Sequence, residues 1–224
     1  SIIATKPTII YPDIKIANLS FAPSLTEPNS IRQINENMSC GVYSSGMLSG
    51  AEIKRRMEQE NPDIIITPQD KIVINPNSVN LTLNDTIGIY SDPILDMKKD
   101  NKVETTQIGE DGMWLYPDEV YLGRTNEWTE TENLIPMMSG RSSLGRNGLH
   151  VHCSAGMGSL GYKGYWRMGI RATKPILAVK DMQCCQLYYL TADGEITQTY
   201  QGYMQDLPKD ELGSPLHKAL TKKR

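Results

Sequence analysis

The sequence predicts an all-β fold, a barrel or sandwich carrying one or two short helices. Two observations predict it. Short runs rich in Ile, Val, Thr and Tyr recur along most of the chain, separated by Pro, Asn and Asp turn signals. Only one stretch has the marks of a helix start, so the strand–helix alternation of an α/β sheet is missing.

That helix start is Ser49-Gly-Ala-Glu52, a capping box that leads into Ile53-Lys-Arg-Arg-Met57. The helix should stop near Asn61-Pro62, because the residue before proline disfavours helical backbone. Ile53 and Met57 are its inward residues. Strands are expected at 64–66, 71–74, 79–83 and 86–90, then at 112–115, 119–125, 148–154, 164–170, 176–180 and 184–190. The polar segment 91–111, with Lys98-Lys-Asp-Asn-Lys102, reads as an exposed loop or hairpin. Residues 1–46 are rich in Pro and Asn and form an extension expected to wrap on the domain. The domain itself occupies 47–206. Residues 207–224, ending in Lys222-Lys-Arg224, form a flexible tail that a ligand or a neighbouring subunit would order.

Composition narrows the function. A net charge of −3 argues against a broad electrostatic grip on nucleic acid. No apolar run approaches the roughly 20 residues of a membrane span, so no membrane partner is expected. Ser1–Tyr11 does not read as a signal peptide, and the cytoplasm is the expected location. Cys40, Cys153, Cys184 and Cys185 form no CxxC pair, and His150, His152 and His217 complete no zinc pattern. No zinc is expected. Strand geometry should send Cys184 and Cys185 to opposite faces, as core or reduced surface thiols.

The most informative stretch runs from Ser139 to Leu149, SGRSSLGRNGL. Two arginines, adjacent serines and three glycines suit a loop that cradles phosphates. Glycine permits close backbone approach, hydroxyls and amides donate hydrogen bonds, and guanidinium forks bind phosphate bidentately. A polar turn joining two strands has the same composition, and on composition alone both readings stay open.

Gly140–Leu149 resembles the GRSSLxRxGL motif of the dCTP deaminases, kin of the GRSGL motif of dUTPases. The resemblance extends over roughly 47–203. It takes in Met47-Leu-Ser49 and the helix, Ile66-Thr-Pro68, Asn75–Leu83, Pro117-Asp-Glu119 and Thr125-Asn-Glu127. It continues through Val151-His152, Ser154-Ala155, Gly161-Tyr-Lys-Gly164 and Tyr200-Gln-Gly202. The resemblance implies a distorted, dUTPase-like β-barrel. It also implies a homotrimer with nucleotide sites at subunit interfaces, closed by the C-terminal tail. Arg141, Ser142, Ser143 and Arg146 then face the triphosphate or the reacting centre, Ala155 lines the base pocket through its backbone, and Tyr162 lies at the site. Mg²⁺ is expected only in company with the nucleotide phosphates.

The resemblance also marks departures. Through Gly161–Gly164, the position of the family's water-activating glutamate is Gly169 and that of its aspartate is Ser159. Glycine accepts no proton, and serine is a poor base at neutral pH. Glu127 and Asp181 are the candidate carboxylates to substitute. Arg167 shares a strand face with Gly169 and, with Tyr203, is a candidate to hold an anionic nucleotide. His152 reads as a packed residue, and Trp114, Trp128 and Trp166 read as core or interface residues. The expectation that follows is a nucleotide-binding protein without efficient family catalysis, serving regulation or sequestration. Its alternative is an active hydrolase that takes dCTP to dUTP or dUMP, or acts on a modified nucleotide.

Overall fold

A computed structural model describes residues 8–9 (backbone only), 46–152 and 155–221. The described residues form fourteen strands: β1 (Thr8–Ile9), β2 (Ile64–Thr67), β3 (Val73–Ile74), β4 (Val79–Thr82), β5 (Thr86–Tyr90), β6 (Leu95–Asp96) and β7 (Val103–Gln107), then β8 (Met113–Leu115), β9 (Tyr121–Thr131), β10 (Leu134–Gly140), β11 (Leu149–Val151), β12 (Lys163–Ala172), β13 (Ile176–Ala178) and β14 (Gln183–Thr191). Three short helices, α1 (Gly50–Glu58), α2 (Ser142–Arg146) and α3 (Leu216–Thr221), accompany them, where one or two were expected. Both extra helices are of six residues or fewer, too short for hydrophobic periodicity to announce them.

The largest sheet runs β11-β12-β9-β5-β7, with β2 also paired to β9. A second sheet runs β10-β14-β4-β3, and β13-β8 and β1-β6 form two-stranded ribbons. Among the described residues these sheets stay open, so the barrel implied by resemblance is not closed by hydrogen bonds. Of the extension, Thr8–Ile9 pairs in parallel with Leu95–Asp96. The rest of its expected wrapping lies outside the described residues, as do Cys153 and Ser154.

Alternation along β9 sets the core. Its odd-numbered residues from Tyr121 to Thr131 are buried, while the even-numbered ones stay half-exposed. Tyr121 and Met168 belong to the core cluster with Ile87, Leu187 and Tyr189. A strand with one face packed and one wetter reads this way. β10, absent from the sequence expectation, contains Pro136, which ordinarily demotes a strand. Here the proline sits on a strand at the sheet's end, opposite Tyr189 of β14, where its missing N–H breaks no needed ladder bond. The segment 91–111 holds β6 and β7, and β7 pairs with β5.

Helix α1 forms as its sequence dictates. Ser49 caps it, its Oγ accepting from the Glu52 N–H at 3.2 Å, and Ile53 is fully buried. Glu52 accepts from Arg55 and Arg56, and those guanidinium groups hold its carboxyl down at about 2. The stability this gives is present above the ordinary 4.5 and is lost as pH falls from 4.5 toward 2. Thermal melts of Glu52→Gln and the parent should differ slightly at pH 7 and converge near pH 2.

Two core features depart from simple alternation. Strand register slips between Gln183 and Cys185, so both Cys184 and Cys185 are buried, and the opposite-face expectation is corrected. Tyr189 is fully buried, and among the described residues its hydroxyl has no hydrogen-bond partner. An unsatisfied buried hydroxyl costs about 1–3 kcal/mol. Tyr189→Phe should therefore raise the midpoint of chemical denaturation, by a margin in that range.

Candidate functional site

The Ser139–Leu149 segment leaves β10, makes the single turn of α2 and re-enters the sheet as β11. Leu149 is buried and anchors its end. Gly148 adopts φ +84, and a Cβ there would lie 2.2 Å from Thr173 Oγ1, so glycine alone fits the closing turn. Thr173 N donates to Gly148 O at 2.9 Å and ties that turn to the end of β12. Ser142, Ser143 and Arg146 are exposed, while Arg141 is half-buried and donates from Nη1 to Gln183 O at 3.2 Å. Among the described residues Arg146 has no ion-pair or side-chain hydrogen-bond partner. The segment thus offers hydroxyls and a free guanidinium to solvent.

The other candidate residues lie further along β12. His152 extends the β11 ladder, its N–H donating to Gly169 O at 2.8 Å. Its backbone is left-handed (φ 50), and burial lowers the ring's pKa below the ordinary 6.5 against a smaller opposing effect of the Ala155 and Arg167 backbone. Ala155 and Ser159 are exposed, and Ser159 O accepts from Tyr162 N at 3.1 Å. Tyr162 is buried, packs at 5.0 Å from the Trp166 ring and donates its hydroxyl to Tyr165 O at 3.0 Å. Burial pushes that hydroxyl up to about 12, so it stays a donor.

Arg167 and Gly169 do share a face, opposite Arg124 and Leu122 of β9. Arg167 is nonetheless only 7% exposed. Its Nε donates to Glu211 O at 2.5 Å and its Nη2 to Leu207 O at 3.1 Å and Pro208 O at 2.6 Å. These tail carbonyls occupy the guanidinium that sequence reasoning reserved for a nucleotide. Tyr203 is 44% exposed. Space at Gly169 is open: a Cβ built there meets only Val120 Cγ1, at 3.8 Å.

Both substitute carboxylates are already engaged by partners of their own. Glu127 lies on the buried face of β9, the face opposite Leu122. Its two oxygens accept from Thr82 N at 2.9 Å and Thr82 Oγ1 at 2.6 Å, and burial raises its pKa. Asp181 accepts from Lys71 Nζ and Asn126 Nδ2, both at 2.8 Å, and the lysine lowers its pKa. Among the described residues no three His, Cys, Asp or Glu side chains converge as metal ligands. A cavity of about 290 Å³ is lined by Lys71, Arg124, Asn126, Glu127 and Lys209 among others, and includes no residue of the Ser139–Leu149 segment.

The candidates therefore form two clusters. The α2 cluster sits where Leu149 pairs with Ala172, at the end of β12. The Ser159–Tyr162–Tyr203 cluster sits at its start, where Gln205 Oε1 accepts from Lys163 N. Nine residue steps separate these ends, about 30 Å at the rise of a strand. Sequence reasoning missed Arg124, whose guanidinium lies 4.9 Å over the Tyr165 ring. Alternation along β9 was the signal for it. It also missed the tail carbonyls around Arg167, for which no side-chain signal exists. Trp166 is core, Trp128 is half-buried and edge-on to Tyr165, and Trp114 is 53% exposed opposite Leu177, so of its two expected places, core or interface, the core is excluded.

A family model described as dCTP deaminase-like matches residues 47–192. A protein of Leptospira biflexa named "dCTP deaminase, dUMP-forming" is 46% identical over 159 residues, 71% of this chain and 90% of its own length. One of the same name from Hathewaya histolytica is 44% identical over 160 residues, 71% and 91% of the two chains. Among solved structures, the 2'-deoxycytidine 5'-triphosphate deaminase of Agrobacterium tumefaciens superposes with a TM-score of 0.52 at 16% identity. That match covers 66% of this chain and about half, 48%, of the other, and it shows the fold alone. Among the described residues no helix is long and apolar enough to cross a membrane.

Proposed function

Because this chain belongs to the dCTP deaminase-like family, we propose that it binds a deoxycytidine nucleotide and converts dCTP to dUMP, slowly. The observation that carries this reading is the 46% identity, over 90% of its length, to a relative named for dUMP formation. It outweighs the expectation of a binder without turnover. In net form, dCTP and two waters give dUMP, ammonia and pyrophosphate.

Arg146, with Ser142 and Ser143, holds the triphosphate through charge-assisted and hydroxyl hydrogen bonds. Arg141 is the less available arginine, being already bonded to Gln183 O. Any bound Mg²⁺ arrives with the phosphates, since the described residues bring no carboxylate cluster to hold it. The slowness follows from Gly169 and Ser159. If resemblance places them correctly, no carboxylate takes the proton from the attacking water, and losing a general base costs about 10²–10⁴-fold in rate.

The homotrimer with sites between subunits is the arrangement that the family resemblance favours.

Capture without turnover is the second reading, and the missing carboxylate at Gly169 is the observation in its favour. Incubating the protein with dCTP and Mg²⁺ decides between them. dUMP and ammonia at a rate above the protein-free control support turnover. Calorimetric binding with only unchanged dCTP recovered after denaturation supports capture, and no binding of any deoxynucleotide overturns both.

A further inference from the structure

We infer that Asn147–Gly148, where α2 ends, is a deamidation site, and that the carboxylate it leaves beside Arg146 weakens the chain's hold on phosphate. The second half rests on the phosphate role proposed for Arg146. The first half does not.

Asn147–Gly148 is the single Asn-Gly pair in the sequence. In such a pair the glycine nitrogen can attack the asparagine side chain, because no Cβ shields it. A bond forms between Gly148 N and Asn147 Cγ, and the Cγ–Nδ2 bond breaks. Ammonia leaves, taking the proton of Gly148 N. Water then opens the resulting succinimide at either carbonyl, which gives aspartate or isoaspartate. Water is the only co-reactant.

The local structure exposes this pair and holds it lightly. Asn147 is exposed and caps α2, a single turn with no buried residue. Gly148 N donates to Gly145 O and Asn147 N to Leu144 O, both at 3.0 Å, and Asn147 Nδ2 donates to Ser143 O at 2.9 Å. The attacking nitrogen and the leaving amide are thus both engaged, and α2 must open before they react. Opening costs little, because one turn of helix gains few bonds for the residues it orders. A nucleotide held by Ser142, Ser143 and Arg146 keeps the turn closed and slows the reaction.

The product alters the segment in two ways. A carboxylate at 147 cannot donate to Ser143 O and turns an oxygen toward that carbonyl instead. It also sets a negative charge one residue from Arg146, where it competes with phosphate for the guanidinium.

Incubating the full chain at mildly alkaline pH, with peptide mapping by mass spectrometry, tests the site. Asn77 and Asn133, also exposed but followed by Ser78 and Leu134, are controls within the same chain. The mass gain of amide-to-acid conversion should appear at Asn147 well ahead of both, and should be lost in Asn147→Gln. dCTP at a hundredfold its Kd should slow it by up to about a hundredfold in the parent and much less in Arg146→Ala. Asn147→Asp, made directly, should bind dCTP about fivefold more weakly by calorimetry, the effect of one nearby charge in water. Conversion at Asn147 no faster than at Asn77 and Asn133 overturns the site. An Asn147→Asp chain that binds dCTP as the parent does overturns the consequence. If Arg146→Ala is equally without effect, the phosphate role of α2 falls with it; a loss in Arg146→Ala alone leaves that role standing.

Discussion

Gly169→Glu combined with Ser159→Asp should raise dCTP turnover by about 10²–10⁴-fold, the usual contribution of a general base. The strand accepts the change. A Cβ at 169 meets nothing nearer than Val120 Cγ1 at 3.8 Å, and Ser159 is exposed. The new carboxylate would stand on the outer face of β12 with Arg167 two residues away and Leu122 opposite. Nearby guanidinium charge favours its ionised, proton-accepting form. The gain should be in kcat with little change in KM, because a proton acceptor acts in the transition state and not in ground-state binding. A gain confined to KM would assign position 169 to binding. Adding Arg146→Ala to this double variant should lower its activity at limiting dCTP, because the phosphates are then held less tightly.

Arg146→Ala on its own should weaken dCTP binding by roughly 10–100-fold, the equivalent of about 1.5–3 kcal/mol for a lost charge-assisted hydrogen bond. Arg146 projects from α2 into solvent and supports nothing within the chain, so melting temperature should hardly move. Arg141→Ala should behave differently. It removes the bond to Gln183 O as well, and stability should fall along with affinity. Calorimetry with dCTP beside thermal melts of both variants separates the two arginines. An Arg146→Ala chain that binds dCTP as tightly as the parent would remove the phosphate role from α2.

Local chemistry made much of this legible in the sequence. Ser49 caps α1 because Ser-x-x-Glu is a local signal, and β4 and β5 follow from β-branched runs bounded by turn residues, whereas β9 runs six residues past the strand expected at 119–125. The Ser139–Leu149 segment was conspicuous because its glycines, arginines and serines are concentrated. What escaped depends on non-local partners. Pro136 argues against a strand until one knows that β10 ends its sheet. Glu127 looks like a spare base until alternation along β9 and its bonds to Thr82 place it on the buried face. Arg167 reads as a free cation because its partners are backbone carbonyls 40 or more residues away, and carbonyls leave no mark in a sequence. Cys184 and Cys185 break their alternation at a register slip that only pairing with β4 reveals.

The most direct measurement is a single-turnover reaction with protein in excess over dCTP and Mg²⁺ present, sampled over days and analysed by mass spectrometry against a protein-free control. Slow appearance of dUMP, about 10²–10⁴-fold below the rate of the Gly169→Glu, Ser159→Asp chain, is the expected result. dCTP that stays bound and intact throughout, in a preparation whose Gly169→Glu, Ser159→Asp variant turns it over, would contradict it.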